Sequence, residues 1–167
     1  IAQDLLIWEN LISDKIDKQE LKKHGLLNMP LIKNKANQIV DNYHIKSMNI
    51  EQNINMLSGG NIQKVVVARE MSSNPKVLIA NQPTRGIDVG AQEFIWNEIL
   101  KFRDEGNAVL LISADLNEIL ELSDSVMIMI NGEISAYFED SDKLTEDELG
   151  LYMLGVKKQT TIEGDAI

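Results

Sequence analysis

Cysteine is absent from the 167 residues, which removes disulfide frameworks and thiolate-built metal sites together, as expected of a chain kept in a reducing cytoplasm. Histidine occurs twice, at His24 and His44, too few for most imidazole-built metal centres. No apolar run approaches the ~20 residues that a helix needs to cross a bilayer. Basic residues are in short supply. Sixteen Lys plus Arg against 26 Asp plus Glu leave a net charge of −10, which argues against nucleic acid as a dominant partner. What is present is a globular balance, 44% hydrophobic and 25% charged, and it excludes a disordered, collagen-like or mucin-like chain. The length suits one domain of roughly 150 residues.

The charge is uneven. Residues 1–60 hold seven acids and seven bases, whereas residues 61–167 hold 19 acids and nine bases. The stretch 137–167 alone carries eight acids against three bases. A solvated acidic surface near the C-terminus is the expected meaning, with an acidic interaction tail as the alternative. The chain opens on Ile1, and no basic stretch leads into an apolar core as in a signal peptide. A piece of a longer polypeptide is expected.

Two textures meet near residue 57. Before it, Leu5, Trp8, Leu11 and Ile12 suit one face of a helix, and Ile32, Ala36, Ile39, Val40 and Tyr43 make a second helical stripe. His24-Gly25 and Met29-Pro30 punctuate a loop between them, with Pro30 opening the next helix. A polar stretch runs from Lys46 to Asn55. After Leu57, strands and helices alternate. Val77 to Ala80 is a short apolar run stopped by Pro83, and Ala91, Phe94, Ile95, Ile99 and Phe102 form a helical stripe. Ala108 to Ile112 reads as a second buried-type strand, and Leu116, Ile119 and Leu120 mark a short helix. Val126 to Ile130, Asn131-Gly132 and Glu133 to Phe138 predict a hairpin, because Asn-Gly suits the positive-φ positions of a tight turn. A final helix around Thr145 to Leu154 begins on a capping box, Thr145 with Glu148. Continuous apolar strands joined through helices predict an α/β fold with a parallel sheet covered on both faces.

The stretch Leu57-Ser58-Gly59-Gly60-Asn61-Ile62-Gln63-Lys64 carries the most chemistry. Ser58 can cap a following helix, and two glycines let a ligand approach the backbone. Exposed N–H groups at the positive end of the helix dipole favour an anion, most often phosphate. An ordinary glycine-containing helix start is the other reading of these residues alone. Val65-Val66-Val67 even prefers a strand, being β-branched.

The wider pattern is Leu57-Ser58-Gly59-Gly60, then Ala68-Arg69-Glu70, Val77 to Ala80, and Gln82-Pro83-Thr84-Arg85-Gly86-Ile87-Asp88-Val89-Gly90-Ala91. In order and spacing it resembles the second half of an ABC-type ATPase domain: signature motif, signature helix, Walker B strand and D-loop. Asn61 and the Pro83 to Ala91 run look like the sugar and nucleoside importers, whose ATPase subunit carries two ATPase domains. Ile79-Ala80-Asn81-Gln82 resembles the second domain of their nucleoside branch, linked to basic membrane proteins. The resemblance covers nearly all of the chain. It implies an α-helical subdomain at 1–56, following a Q-loop, and a partial P-loop NTPase core at 57–167.

Departures from the family pattern shape what is implied. No GxxxxGK[ST] string occurs, so the Walker A portion that cradles ATP phosphates is absent here. Where the Walker B strand usually ends in Asp-Glu, this chain has Asn81-Gln82, and the switch position after Ser113 holds Ala114 rather than histidine. A neutral Asn is a weak partner for Mg²⁺, and an amide accepts no proton from an attacking water. The chain's own Walker side is expected to be degenerate. Ser58, Gly59, Gly60 and Asn61 match the signature, apart from Ile62 where a polar residue is usual, and would face ATP held by a partner ATPase domain. Asp88 would sit at the same seam, while Arg85 suits either a structural turn or that seam. The implied cofactors are ATP and Mg²⁺; the implied partners are another ATPase domain and membrane permease subunits, on the cytoplasmic face of the cell membrane. By itself the chain is expected to be catalytically inactive. A non-catalytic, nucleotide-dependent dimerisation module is the rival, and an ATPase of DNA repair or chromosome organisation a third, disfavoured by the acidic charge and the missing coiled-coil arm. Trp8, Trp96 and Tyr43 are expected to pack, His24 and His44 to lie in loops or on the surface, and the seven methionines to fill gaps.

Overall fold

Local signals set most of the elements. The computed structural model describes residues 1–159, and the acidic tail considered above falls partly outside the described residues. Packing divides the chain into two compact units. One comprises Ile1–Ile79 with Pro83–Leu110; the other comprises Ala80–Gln82 with the chain from Leu111 on. This division runs elsewhere than between residues 56 and 57.

The first unit opens with helix α1 (Ile7–Ile12), whose start is held by the Glu9 carboxylate accepting the Leu6 N–H at 2.8 Å. Leu5 lies outside this helix and is exposed, so the stripe expected from Leu5 is one turn shorter. His24 and Gly25, with φ of 54° and 83°, do more than interrupt the chain. They turn a short antiparallel hairpin between β1 (Lys22–Lys23) and β2 (Leu26–Leu27), because both positions tolerate the left-handed backbone that such turns need. Helix α2 (Met29–Asn42) starts on Asn28, which accepts the Leu31 N–H, and Pro30 sits in its first turn as expected.

The polar stretch 46–55 contributes core residues that its composition conceals. Ile50 and Ile54 are buried with Ile7, Leu11, Ala36, Ile45, Leu57, Val65 and Ala68. They are drawn in because the Ile7 and Trp8 N–H groups, orphaned at the start of α1, donate to the Gln52 and Ile50 carbonyls. Helix α3 (Gly59–Met71) follows, capped by Ser58. Its three consecutive valines form helix despite their propensity, because burial of Val65 and Val67 outweighs a few tenths of a kcal/mol each.

Tyr43 closes α2 and meets the Phe94 ring edge-on at 6.5 Å. Burial, with Glu98 and Glu105 nearby, pushes its phenol up to about 12. An unfolded tyrosine ionises near 10, so the stability tied to neutral Tyr43 is complete below pH ~10 and drains away as pH climbs towards 12. On alkaline titration, Tyr43→Phe should remove a step of tyrosinate absorbance near pH 12; an unchanged profile there would contradict this environment.

Strands β3 (Val77–Asn81) and β4 (Ala108–Ile112) are neighbours in one sheet. The Ala108 N–H donates to the Lys76 carbonyl and the Gln82 N–H to the Ile112 carbonyl, so the two run parallel. Helix α4 (Val89–Asp104) connects them, burying Ala91, Ile95, Ile99 and Phe102, most of the predicted stripe. The expectation of a sheet covered on both faces fails. Val77, Ile79, Leu110 and Ile112 are 47–66% exposed, because side chains alternate along a strand and none of the described residues packs over that side.

In the second unit, α5 (Leu116–Leu122) and α6 (Glu146–Met153) pack against the antiparallel pair β5 (Val126–Ile130) and β6 (Glu133–Phe138). The predicted turn is present, with φ of 51° at Asn131 and 81° at Gly132. Thr145 caps α6 by accepting the Glu148 N–H at 3.2 Å. Four of the seven methionines are not the gap fillers expected: Met48, Met56, Met127 and Met129 are exposed, whereas Met71 is buried and Met29 and Met153 pack against core clusters. Among the described residues no helix is long and apolar enough to cross a membrane.

Candidate functional site

Ser58 places an exposed helix start at the surface of the first unit. Its backbone is extended (φ −65°, ψ 156°), and its Oγ accepts the Asn61 N–H at 3.4 Å and the Asn61 Nδ2 at 2.9 Å. The first-turn N–H groups of α3 have no acceptor within the helix, so the positive end of a 13-residue helix is presented outward. Ser58 and Gly59 are exposed, Asn61 is half-buried, and Gly60 is buried.

Gly60 is buried by the second predicted site element. A Cβ added there would lie 2.7 Å from the Ala91 Cβ and 2.9 Å from Asp88 Oδ2. Asp88 caps α4, its Oδ1 accepting the Ala91 N–H at 3.0 Å. Two helix starts, each capped by its own polar side chain, therefore touch through a glycine. That contact joins the LSGG stretch to Asp88 in one surface.

Two lysines that the sequence reading did not single out flank this surface. Lys64 Nζ lies 4.1 Å above the Phe94 ring and donates to the His44 carbonyl at 3.3 Å. Burial and the neighbouring Lys46 push its pKa below the ordinary value, against the opposing pull of Asp88. The Lys46 N–H donates to Asn61 Oδ1 at 2.8 Å. Lys64 stands inside the quoted motif, so its position was visible; its aromatic and backbone partners were not. His44, with φ 50°, is exposed; its Nδ1 lies 2.8 Å from the Asp41 carbonyl and its ring rests against Phe94 at 5.9 Å. Trp8 and Trp96 are half-buried, the Trp8 Nε1 donating to Glu51 at 3.2 Å. Arg85 is exposed.

The remaining predicted residues belong to the second unit. Asn81 is exposed at the end of β3, and Gln82 adopts φ 49° as its N–H joins the Ile112 carbonyl. Ala114 is exposed between Ser113, whose Oγ accepts the Asp115 N–H at 3.0 Å, and Asp115, which caps α5. No carboxylate or imidazole occupies positions 81, 82 or 114. Groups of three or more acidic or histidine side chains able to hold a metal ion are absent among the described residues. The helix start at Ser58 does fit an anion. An open cleft of about 610 Å³ elsewhere in the first unit, bordered by Tyr43, Lys76, Glu98 and Lys101, includes none of the four signature residues.

No family model matches the chain. It is 40% identical over 155 residues to the guanosine import ATP-binding protein NupO of Bacillus subtilis, and 37% identical over 155 residues to the nucleoside import ATP-binding protein NupA of Lactococcus lactis subsp. cremoris. Each match covers 93% of this chain and 30% of the relative, so the chain spans about a third of the length of these curated relatives. Among solved structures, the dimeric post-hydrolysis state of the ATP-binding cassette MJ0796, bound to ADP and Pi, superimposes with a TM-score of 0.68 at 22% identity, covering 86% of this chain and 60% of that one. The fold and the sequence agree that this chain, with a partial P-loop NTPase core, belongs to the ATP-binding cassette family of the ABC transporters, alongside its nucleoside and sugar import proteins.

Proposed function

We propose that the chain is part of the ATP-binding component of an ABC importer for nucleosides or sugars, and that it contributes a signature surface in trans to ATP held by another ATPase domain. The observation that carries this reading is the joined surface of Ser58, Gly59, Gly60 and Asp88: an exposed, positively polarised helix start packed against a capped D-loop. The phosphates of ATP would meet backbone N–H groups and the Ser58 hydroxyl there, and their negative charge would lie at the end of the α3 dipole. The chain's own Walker side would hold nucleotide without hydrolysing it, because Asn81, Gln82 and Ala114 supply neither a base for water nor a strong Mg²⁺ ligand. ATP with Mg²⁺ would belong to the complete assembly, peripheral to the cytoplasmic face of the membrane. The partner ATPase domain would lie upstream in the same polypeptide, with permease subunits beneath. Residues 1–56 would form the helical subdomain and 57–167 the remaining core. The open side of β3 and β4 would then be covered by the P-loop part of that polypeptide.

Steady-state ATPase measured on the full-length subunit with its permease tests the reading. Ser58→Glu should abolish most turnover, because a carboxylate at the helix start repels phosphate. Restoring Asn81→Asp together with Gln82→Glu should leave turnover nearly unchanged, since Ala114 still lacks an imidazole. A silent Ser58→Glu combined with a several-fold rise on restoration would reverse the assignment of the two sites. An unchanged rate in both cases would favour the non-catalytic dimerisation module.

A further inference from the structure

We infer that the open cleft of the first unit is a binding site for a small zwitterion with an apolar body, namely a free α-amino acid with an aliphatic or aromatic side chain. The site lies apart from the signature surface and does not depend on the trans-signature reading. Ser58 and Asp88 stand at the starts of α3 and α4, whereas the cleft takes in the far ends of both helices, at Met71, Ser72, Phe102 and Glu105. Those ends lie about 20 Å and 24 Å along the two helix axes. The cleft's volume of about 610 Å³ falls within the range of about 300–1,000 Å³ usual for small-ligand sites.

Three features of the lining define the ligand. Buried Met71 and Phe102, with half-buried Ile39, supply an apolar wall. Lys76, Glu98, Lys101 and Glu105 supply two charges of each sign, and among the described residues none of these side chains makes an ion pair or a hydrogen bond. Their spacing would allow pairing, since Glu98 precedes Lys101 by three residues and Lys101 precedes Glu105 by four. The four charges are instead left open to an outside partner. A ligand of one sign would match only half of them, whereas a zwitterion matches both. Lastly, Tyr43, Ser72 and Glu105 close α2, α3 and α4, and all three border the cleft. Three helix dipoles therefore bring their negative ends to it, which favours an ammonium beside Glu98 and Glu105. The ligand carboxylate is left to Lys76 and Lys101. Burial, with Glu98 and Glu105, holds the Tyr43 phenol up at about 12, so its O–H remains a donor at neutral pH.

Calorimetric titration of the full-length subunit with three probes that share one apolar body tests this. L-Phenylalanine carries both charges, phenethylamine keeps only the ammonium, and 3-phenylpropionate keeps only the carboxylate. L-Phenylalanine should bind with a Kd of about 1 mM, the strength ordinary for its size. Each single-charge probe should bind about fivefold more weakly, the loss of one partly exposed ion pair. Lys101→Met should weaken L-phenylalanine by a similar factor and leave phenethylamine unchanged. Glu98→Gln should weaken L-phenylalanine and phenethylamine alike and leave 3-phenylpropionate unchanged. No saturable heat from L-phenylalanine at tenfold the expected Kd overturns the inference. So does a single-charge probe that binds as tightly as L-phenylalanine, or binding of L-phenylalanine that neither substitution alters.

Discussion

Gly60→Ala should destabilise the full-length subunit by about 1–3 kcal/mol, the usual cost of forcing a methyl group into a filled site, and should suppress its ATPase activity with it. Judged by helix propensity alone, the change would be favourable by about 1 kcal/mol, since alanine replaces glycine inside the first turn of α3. Sterics decide the sign. The new Cβ would lie 2.7 Å from the Ala91 Cβ and 2.9 Å from Asp88 Oδ2. Neither neighbour is a flexible chain end: Ala91 is buried in the first turn of α4, and Asp88 is held by its bond to the Ala91 N–H at 3.0 Å. Relief of the clash must shift the start of α4 or release the Asp88 cap, itself worth about 1 kcal/mol. Gly59→Ala supplies the steric comparison, because a Cβ there meets only the Gly86 carbonyl oxygen at 4.0 Å. In paired denaturant titrations, Gly60→Ala should lower the midpoint clearly and Gly59→Ala should not. Equal stability of the two variants would show that the contact between the two helix starts is not maintained.

That contact marks the limit of what the sequence could show. Ser58 and Thr145 announce helix starts because a cap and the N–H it satisfies lie within three residues, and Asn131-Gly132 announces a turn for the same local reason. The resemblance placed Ser58, Gly60 and Asp88 in named motifs, yet only folding brings Gly60 against Asp88 and Ala91. Ile50 and Ile54 escaped notice for a related reason. Each stands alone in a polar stretch without helical or strand period, and its burial follows from distant N–H donors at the start of α1. Val65 to Val67 shows the converse, a local preference overruled by packing. The open side of β3 and β4 was illegible because an apolar run reads the same whether its far side is covered by this chain or by another segment. Asn61 was placed in the site by its motif, but its bond to the Lys46 N–H, 15 residues away, was not visible in the sequence.

Lys15 shows how the opposite end of the signature helix is secured, and its removal should be costly. At the C-terminus of α3, Ala68, Glu70 and Met71 give their carbonyls to the backbone N–H groups of Ser72, Ser73 and Asn74. The Arg69 carbonyl is served instead by side chains: Lys15 Nζ at 3.2 Å and Ser72 Oγ at 3.1 Å. The same ammonium donates to Ser72 Oγ at 2.6 Å and to the Leu11 carbonyl of α1 at 3.4 Å, and lies 3.6 Å from Asp14. One buried cation therefore ties the last turns of α1 and α3 together, with its charge at the negative end of the α3 dipole. Lys15→Met keeps the stem and deletes the donors. It should cost about 1–3 kcal/mol, because the Arg69 and Leu11 carbonyls stay in place while a donor to each is lost. Relief from burying a charge works against that loss, and pH separates the two effects. Burial holds the Lys15 pKa below its ordinary value of 10.5 in the folded chain, despite the pull of Asp14. The penalty for the buried charge is thus fully present below the folded pKa. It is relieved as pH rises from there towards 10.5, where the unfolded chain holds more protons than the native one, so stability rises across that window. The stability gap between wild type and Lys15→Met should accordingly widen with rising pH, since only wild type gains that relief. A gap that narrows instead would mean that the charge on Lys15, rather than its capacity to donate, holds the two helices.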